Sequence, residues 1–105
     1  MFKWLRFFKS VDSITPQEAK ALMASEQAWA LVDVRQPEEF AEKAVPGACL
    51  IPLSELGRRC EELNREDTVL LYCRSGGRSK LAARILAVKG FEKVKNVSGG
   101  ILAWE

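Results

Sequence analysis

The chain contains no histidine. That absence excludes the Ser-His-Asp triad and the Cys-His dyad, so a nucleophile here must be activated without an imidazole. Its three cysteines, Cys49, Cys60 and Cys73, are odd in number and scattered, with no CxxC pair. They outline no disulfide framework, which suits a reducing, cytoplasmic setting, and no zinc site can be assembled from them. Charge of one sign is scarce in excess: 16 basic against 14 acidic residues leave +2. No dense basic stripe with interleaved aromatics marks a nucleic-acid surface. Linkers, internal repeats and low-complexity tracts are also missing, and nothing in the pattern calls for a metal or cofactor.

What is present is the composition of one ordinary globular domain. A chain of 105 residues, 48% apolar and 29% charged, is long enough to bury one core and too short for two. Residues 1–10 (MFKWLRFFKS) stand apart as a basic and aromatic arm, with Lys3, Arg6 and Lys9 at every third position. The arm has no cleavage-site pattern of a signal peptide and is far too short to span a bilayer. It predicts weak contact with a membrane surface or a partner, or simple packing on its own domain, which occupies residues 11–105.

Within that domain, strand and helix patterns alternate. Thr15 and Pro16 open a helix as N-cap and first helical residue, with Ala19, Leu22 and Met23 on one side and an end near Ser25. Near-continuous apolar runs at 29–34 (WALVDV) and 68–72 (TVLLY) predict strands covered on both faces. Pro37 opens a short helix, Pro46-Gly47 makes a turn, and 48–51 forms a short strand ended by Pro52. Residues 53–63 read as a helix with Gly57 as its weak point, 79–89 as a helix closed by Gly90, and 94–97 as a last strand. Gly99-Gly100 turns into a final helical piece through Trp104. This alternation predicts an α/β domain, a central parallel sheet with helices on both faces. Ligands of such sheets sit beyond the C-terminal strand ends. One strand ends in Asp33 and Arg35, another at Cys73, so the site is expected there. Trp29 and Phe40 read as core, Trp104 as a cover for the last helix, and Cys49 and Cys60 as packing rather than as partners of Cys73.

The sharpest feature is Cys73-Arg74-Ser75-Gly76-Gly77-Arg78-Ser79, which joins a buried strand to a helix. Two glycines allow a tight curl that points N–H groups inward, and the helix N-terminus adds positive potential. A thiol held there ionises more readily than a free one. Arg74 and Arg78 add cationic charge.

At these residues the chain resembles the rhodanese family. The likeness rests on ordered pieces: Asp33-Val34-Arg35, Glu39-Phe40, Val45-Pro46-Gly47-Ala48 with Ile51-Pro52, the CRSGGRS loop, Ala83-Arg84 with Gly90-Phe91, and Asn96-Val97-Ser98-Gly99-Gly100 with Ala103-Trp104. The resemblance implies a three-layer rhodanese-like domain and a thiosulfate-type sulfurtransferase. Cys73 would carry a persulfide between a small anionic sulfur donor and a thiol or cyanide acceptor, or hand sulfur to a partner protein. The N–H groups of Arg74, Ser75, Gly76, Gly77, Arg78 and Ser79 would cradle the outer sulfur. Arg74 and Arg78 would attract the donor, with Arg78 alternatively locking the loop through backbone carbonyls. Asp33 and Arg35 would brace the loop, and Gly99 would let backbone pass close beneath the site. Lys43 and Ala44 stand where relatives usually carry Gly-His, which puts surface contacts and substrate choice in question. Two other readings share the plan. A phosphatase needs five residues between cysteine and arginine, and four separate Cys73 from Arg78. A non-catalytic interaction module of the same family often lacks the cysteine that is present here.

Overall fold

A computed structural model describes residues 11–104, so the arm at 1–10 and its proposed contacts lie outside the described residues. The elements run in order β1 (Asp12–Ile14), α1 (Pro16–Ala24), β2 (Trp29–Asp33), α2 (Pro37–Glu42), β3 (Ala48–Leu50), α3 (Leu53–Arg59) with a 3-10 turn (Cys60–Glu62), β4 (Thr68–Tyr72), α4 (Gly77–Val88), β5 (Val94–Val97) and α5 (Gly100–Ala103). All strand pairings are parallel, in the order β1-β5-β4-β2-β3. The central strand β4 is buried along its whole length.

Alternation along β4 divides the core in two. Val69, Leu71 and Cys73 face α3 and α4, where they meet Leu56, Ala82, Ala83, Leu86 and Phe91. Leu70 and Tyr72 face the other way, toward Ala19 of α1 and Ile101 of α5. The period of two thus puts helices on both faces of the sheet, as the sequence predicts. Removing one of these large buried side chains, as in Leu70→Ala, costs about 2–5 kcal/mol.

Local chemistry explains the element boundaries. Thr15 caps α1 in a full capping box with Glu18: each accepts the other's backbone N–H, at 3.1 and 2.8 Å. The helix ends at Ala24 with Ser25 as C-cap. Residues 53–63 are not one helix. The α-helix stops at Arg59 rather than at Gly57, and the chain tightens into the 3-10 turn where Cys60 is drawn into the core. Helix α4 starts at Gly77, two residues before the expected Ser79, because the glycine loop itself forms its first turn. Strand β1 carries no apolar pattern and is not predicted by the sequence.

Three side-chain placements also differ from expectation. Trp29 and Phe40 are half-buried rather than fully core. Trp29 lies against the α1 side with Nε1 donating to the Met23 carbonyl at 3.0 Å. Cys49 is exposed on edge strand β3, while Cys60 is buried as expected. Cys49 belongs to neither core cluster. Trp104 is half-buried over the α1 side, with Lys20 Nζ 5.3 Å from its ring centre.

Candidate active site

The end of β4 delivers Cys73 to the C-terminal edge of the sheet, beside the end of β2, where Asp33 is the register partner of Tyr72. The chain then leaves the sheet through Arg74 and Ser75 and reverses at Gly76, whose φ of +120° suits glycine and strains other residues. This curl turns the Gly76 N–H back onto Cys73 Sγ at 3.1 Å. The first turn of α4 brings Ser79 Oγ to 3.5 Å from the same sulfur. Cys73 is only 1% exposed. Burial pushes its pKa up, but the Ser79 hydroxyl and the N–H groups of Ser79, Gly76 and Ser75 outweigh it, and the net shift is downward. The loop stabilises the thiolate with amides and one hydroxyl.

The two arginines of the loop have different surroundings. Arg74 is exposed, with no ion-pair partner among the described residues. Arg78 is gripped at both nitrogens by Glu39 of α2, at 2.8 and 3.0 Å. It therefore ties the loop to α2 through a carboxylate, not through backbone carbonyls. The Arg78 guanidinium, helped by the Gln36 N–H, holds the Glu39 carboxyl down at about 2. Glu39 enters the sequence reading as part of a helix opening and of the Glu39-Phe40 piece of the resemblance, with no role assigned to its side chain. Its partner is 39 residues away, and no local signal joins them.

Asp33 and Arg35 form a buried pair, Arg35 Nε donating to Oδ1 at 2.9 Å and Nη2 to Oδ2 at 2.6 Å. Arg35 Nη2 also donates to the Lys43 carbonyl at 2.6 Å, and the guanidinium lies over the Tyr72 ring. The Tyr72 hydroxyl accepts from the Val45 N–H at 3.1 Å. These contacts fix residues 43–45. The pair braces that segment, where Lys43 and Ala44 stand, and adjoins the Cys73 loop through the pairing of β2 with β4 and through Tyr72.

The close passage of backbone falls one residue later than expected. Gly99 takes a left-handed φ of +76° as the cap of α5. Gly100 is the residue that passes beneath the site: a Cβ there would strike the carbonyls of Cys73 and Arg74. The following amides use those carbonyls, with Ile101 N–H donating to Cys73 O at 2.9 Å and Leu102 N–H to Arg74 O at 3.2 Å. The Cys73 loop is thus held from behind by α5.

One polar residue without a predicted role completes the setting. Asn96 of β5, 1% exposed, accepts from Ser79 Oγ at 2.5 Å and donates from Nδ2 to Ser13 Oγ at 3.1 Å. Asn96 and Ser13 line a cavity of about 340 Å³ with Ser75, Gly76, Gly77, Lys80, Ser98 and Gly99. Among the described residues, no group of three or more His, Cys, Asp or Glu side chains is placed to hold a metal, and no helix is long and apolar enough to cross a membrane.

The rhodanese-like domain family matches residues 15–105. The putative sulfur carrier protein YrkF of Bacillus subtilis is 38% identical over 95 residues, covering 90% of this chain; the chain spans about half of that protein, 51%. The thiosulfate sulfurtransferase GlpE of Glaesserella parasuis is 34% identical over 96 residues, covering 91% of this chain and 88% of its own length. The crystal structure of a rhodanese-like domain protein from Staphylococcus aureus superposes with a TM-score of 0.83 at 32% identity, covering 90% and 92% of the two chains. With Cys73 held in a glycine loop between β4 and α4, and with this likeness along nearly the whole domain, the chain belongs to the rhodanese-like family.

Proposed function

We propose that the protein is a sulfurtransferase that carries sulfane sulfur on Cys73. The observation that supports this most is the Gly76 N–H directed at Cys73 Sγ from 3.1 Å, inside a loop whose donors favour the thiolate. In the first half-reaction the thiolate attacks the sulfane sulfur of thiosulfate. A new Sγ–S bond forms, the S–S bond of the donor breaks, and sulfite leaves with the bonding electron pair. The charge passes to the outer sulfur, and the loop amides from Arg74 to Ser79 cradle it. In the second half-reaction cyanide or a thiolate attacks the outer sulfur, the Sγ–S bond breaks, and its electrons return to Cys73 as thiolate. An acceptor thiol on another protein would make the same chemistry a step in sulfur trafficking.

Of the two loop arginines, Arg74 is the one left to draw in an anionic donor, since Arg78 is committed to Glu39. The short loop argues against phosphate chemistry. Four residues separate Cys73 from Arg78, and the curl fits one sulfur atom better than a tetrahedral phosphoryl group. Intact-mass analysis after thiosulfate treatment tests the proposal. One added sulfur, mapped to the Cys73 peptide and removed by cyanide as thiocyanate, is the expected result. No adduct, or aryl phosphate hydrolysis as fast as sulfur transfer, overturns it.

A further inference from the structure

Ser79 Oγ has one proton and three acceptors within reach: Asn96 Oδ1 at 2.5 Å, Gly76 O at 3.2 Å and Cys73 Sγ at 3.5 Å. The two carbonyl oxygens only ever accept. The sulfur differs, because a thiol has a proton to give and a thiolate can only receive one. The shortest of these contacts is to Asn96 Oδ1, and Asn96 Nδ2 donates onward to Ser13 Oγ, so one arrangement has Ser79 giving its proton to Asn96. The chain of donors therefore points away from Cys73. That direction suits a neutral thiol, whose S–H can donate to the free lone pair of Ser79.

A thiolate requires the opposite direction. If Ser79 alone turned its proton to the sulfur, its oxygen would face the Asn96 carbonyl oxygen at 2.5 Å with no hydrogen between them. The conflict has a simple resolution. The oxygen and nitrogen of a carboxamide are nearly equal in size and position, so a half-turn of the Asn96 amide exchanges acceptor for donor without moving the backbone. Its register partner across the β1–β5 pairing is Ser13, whose hydroxyl can donate as readily as accept.

We propose that Asn96 is a positioning residue for Cys73, reversing the direction of the Ser13–Asn96–Ser79 hydrogen-bond chain by rotation of its amide when the sulfur ionises. In the thiol state Cys73 donates to Ser79, Ser79 to Asn96 Oδ1, and Asn96 Nδ2 to Ser13. Loss of the thiol proton to solvent turns every link: Ser13 donates to Asn96 Oδ1, Asn96 Nδ2 to Ser79, and Ser79 to the thiolate. Ser79 keeps one donor and one acceptor contact in both states. The inference rests on the sulfur-transfer reading for its use in turnover. Once the persulfide forms, Sγ still has no proton to give, so Ser79 keeps donating toward the sulfur and the chain holds its thiolate direction until a proton returns.

The test is a titration of the free thiol, which needs no donor or acceptor and so stands or falls apart from sulfur transfer. In the wild-type chain labelled with nitrogen-15, the Asn96 side-chain amide protons should shift with the same midpoint as Cys73 ionisation. Asn96→Asp, once ionised, can only accept and so traps the Ser79 proton. It should raise the Cys73 pKa by about one unit or more, slowing alkylation near neutral pH about tenfold. Ser79→Ala should raise it similarly in the wild type but add little in the Asn96→Asp background. All alkylation measurements use Cys49→Ser to remove the other accessible thiol. Amide resonances that ignore the titration overturn the proposal. So do additive effects of the two substitutions, because simple charge repulsion from the introduced carboxylate would leave the Ser79 contribution intact.

Discussion

Cys73→Ser exchanges one sulfur for one oxygen in a site that is 1% exposed. It should abolish persulfide formation in a mass spectrometer while leaving the thermal midpoint close to that of the parent. The pH dependence follows from the direction of the thiol shift. The folded-state pKa of Cys73 lies below that of the unfolded chain, so between the two values the folded protein holds fewer protons. The stability this contributes is present above the unfolded value and is lost as pH falls through the folded one. Glu39 has the same sign on the acid side: its contribution is complete above the ordinary carboxylate range and fades toward pH about 2. Glu39 and Arg78 are each about one-third exposed, so that pair is worth no more than about 1 kcal/mol. The Asp33–Arg35 pair is different because it is buried. Asp33→Ala leaves a guanidinium of 5% exposure without its carboxylate and should cost about 3–5 kcal/mol in chemical denaturation. At this scale the sequence is legible where chemistry is contiguous. Cys73, Gly76 and Ser79 lie within seven residues, and their cooperation can be read from spacing. Glu39 with Arg78, and Asn96 with Ser79, meet only because the sheet brings distant segments together.

At the scale of elements, α5 shows how little sequence is needed to fix a loop. It has four residues, yet its amides hold the carbonyls of Cys73 and Arg74. Gly100→Ala should therefore be among the most damaging single changes. The new methyl meets both carbonyls, and φ is +58°. The expected result is a stability loss of about 2 kcal/mol or more and a Cys73 that alkylates like an ordinary thiol. Gly57→Ala provides the contrast, because a Cβ there meets nothing and the position is helical, so stability should be unchanged or slightly raised. The long buried strands β2 and β4 are legible because being covered on both faces demands an apolar run. Strand β1 is not, because three residues at a sheet edge need no apolar pattern to pair. The end of α3 is hard to read because Gly57 looks like the weak point, whereas the pull of Cys60 into the core decides where the helix stops.

The whole molecule sorts its three thiols by environment. Cys73 has its pKa lowered by the loop donors, Cys49 is exposed on an edge strand with its pKa raised by partial desolvation, and Cys60 is buried in the core beside α3. Limited alkylation at neutral pH should modify Cys73 first and Cys49 second, with Cys60 reached only on unfolding. Peptide mapping over time checks the order, and early loss of Cys60 would contradict the packing described. The architecture is legible as a whole because alternating strand and helix patterns leave few alternatives to a parallel sheet covered on both sides. The clamp by α5 carries a consequence for biosynthesis. Translation reaches Cys73 well before Gly100, Ile101 and Leu102, so a ribosome-bound chain that has not yet released those residues lacks the support that shapes the loop. Until α5 has emerged and closed behind it, Cys73 keeps the reactivity of any unstructured cysteine.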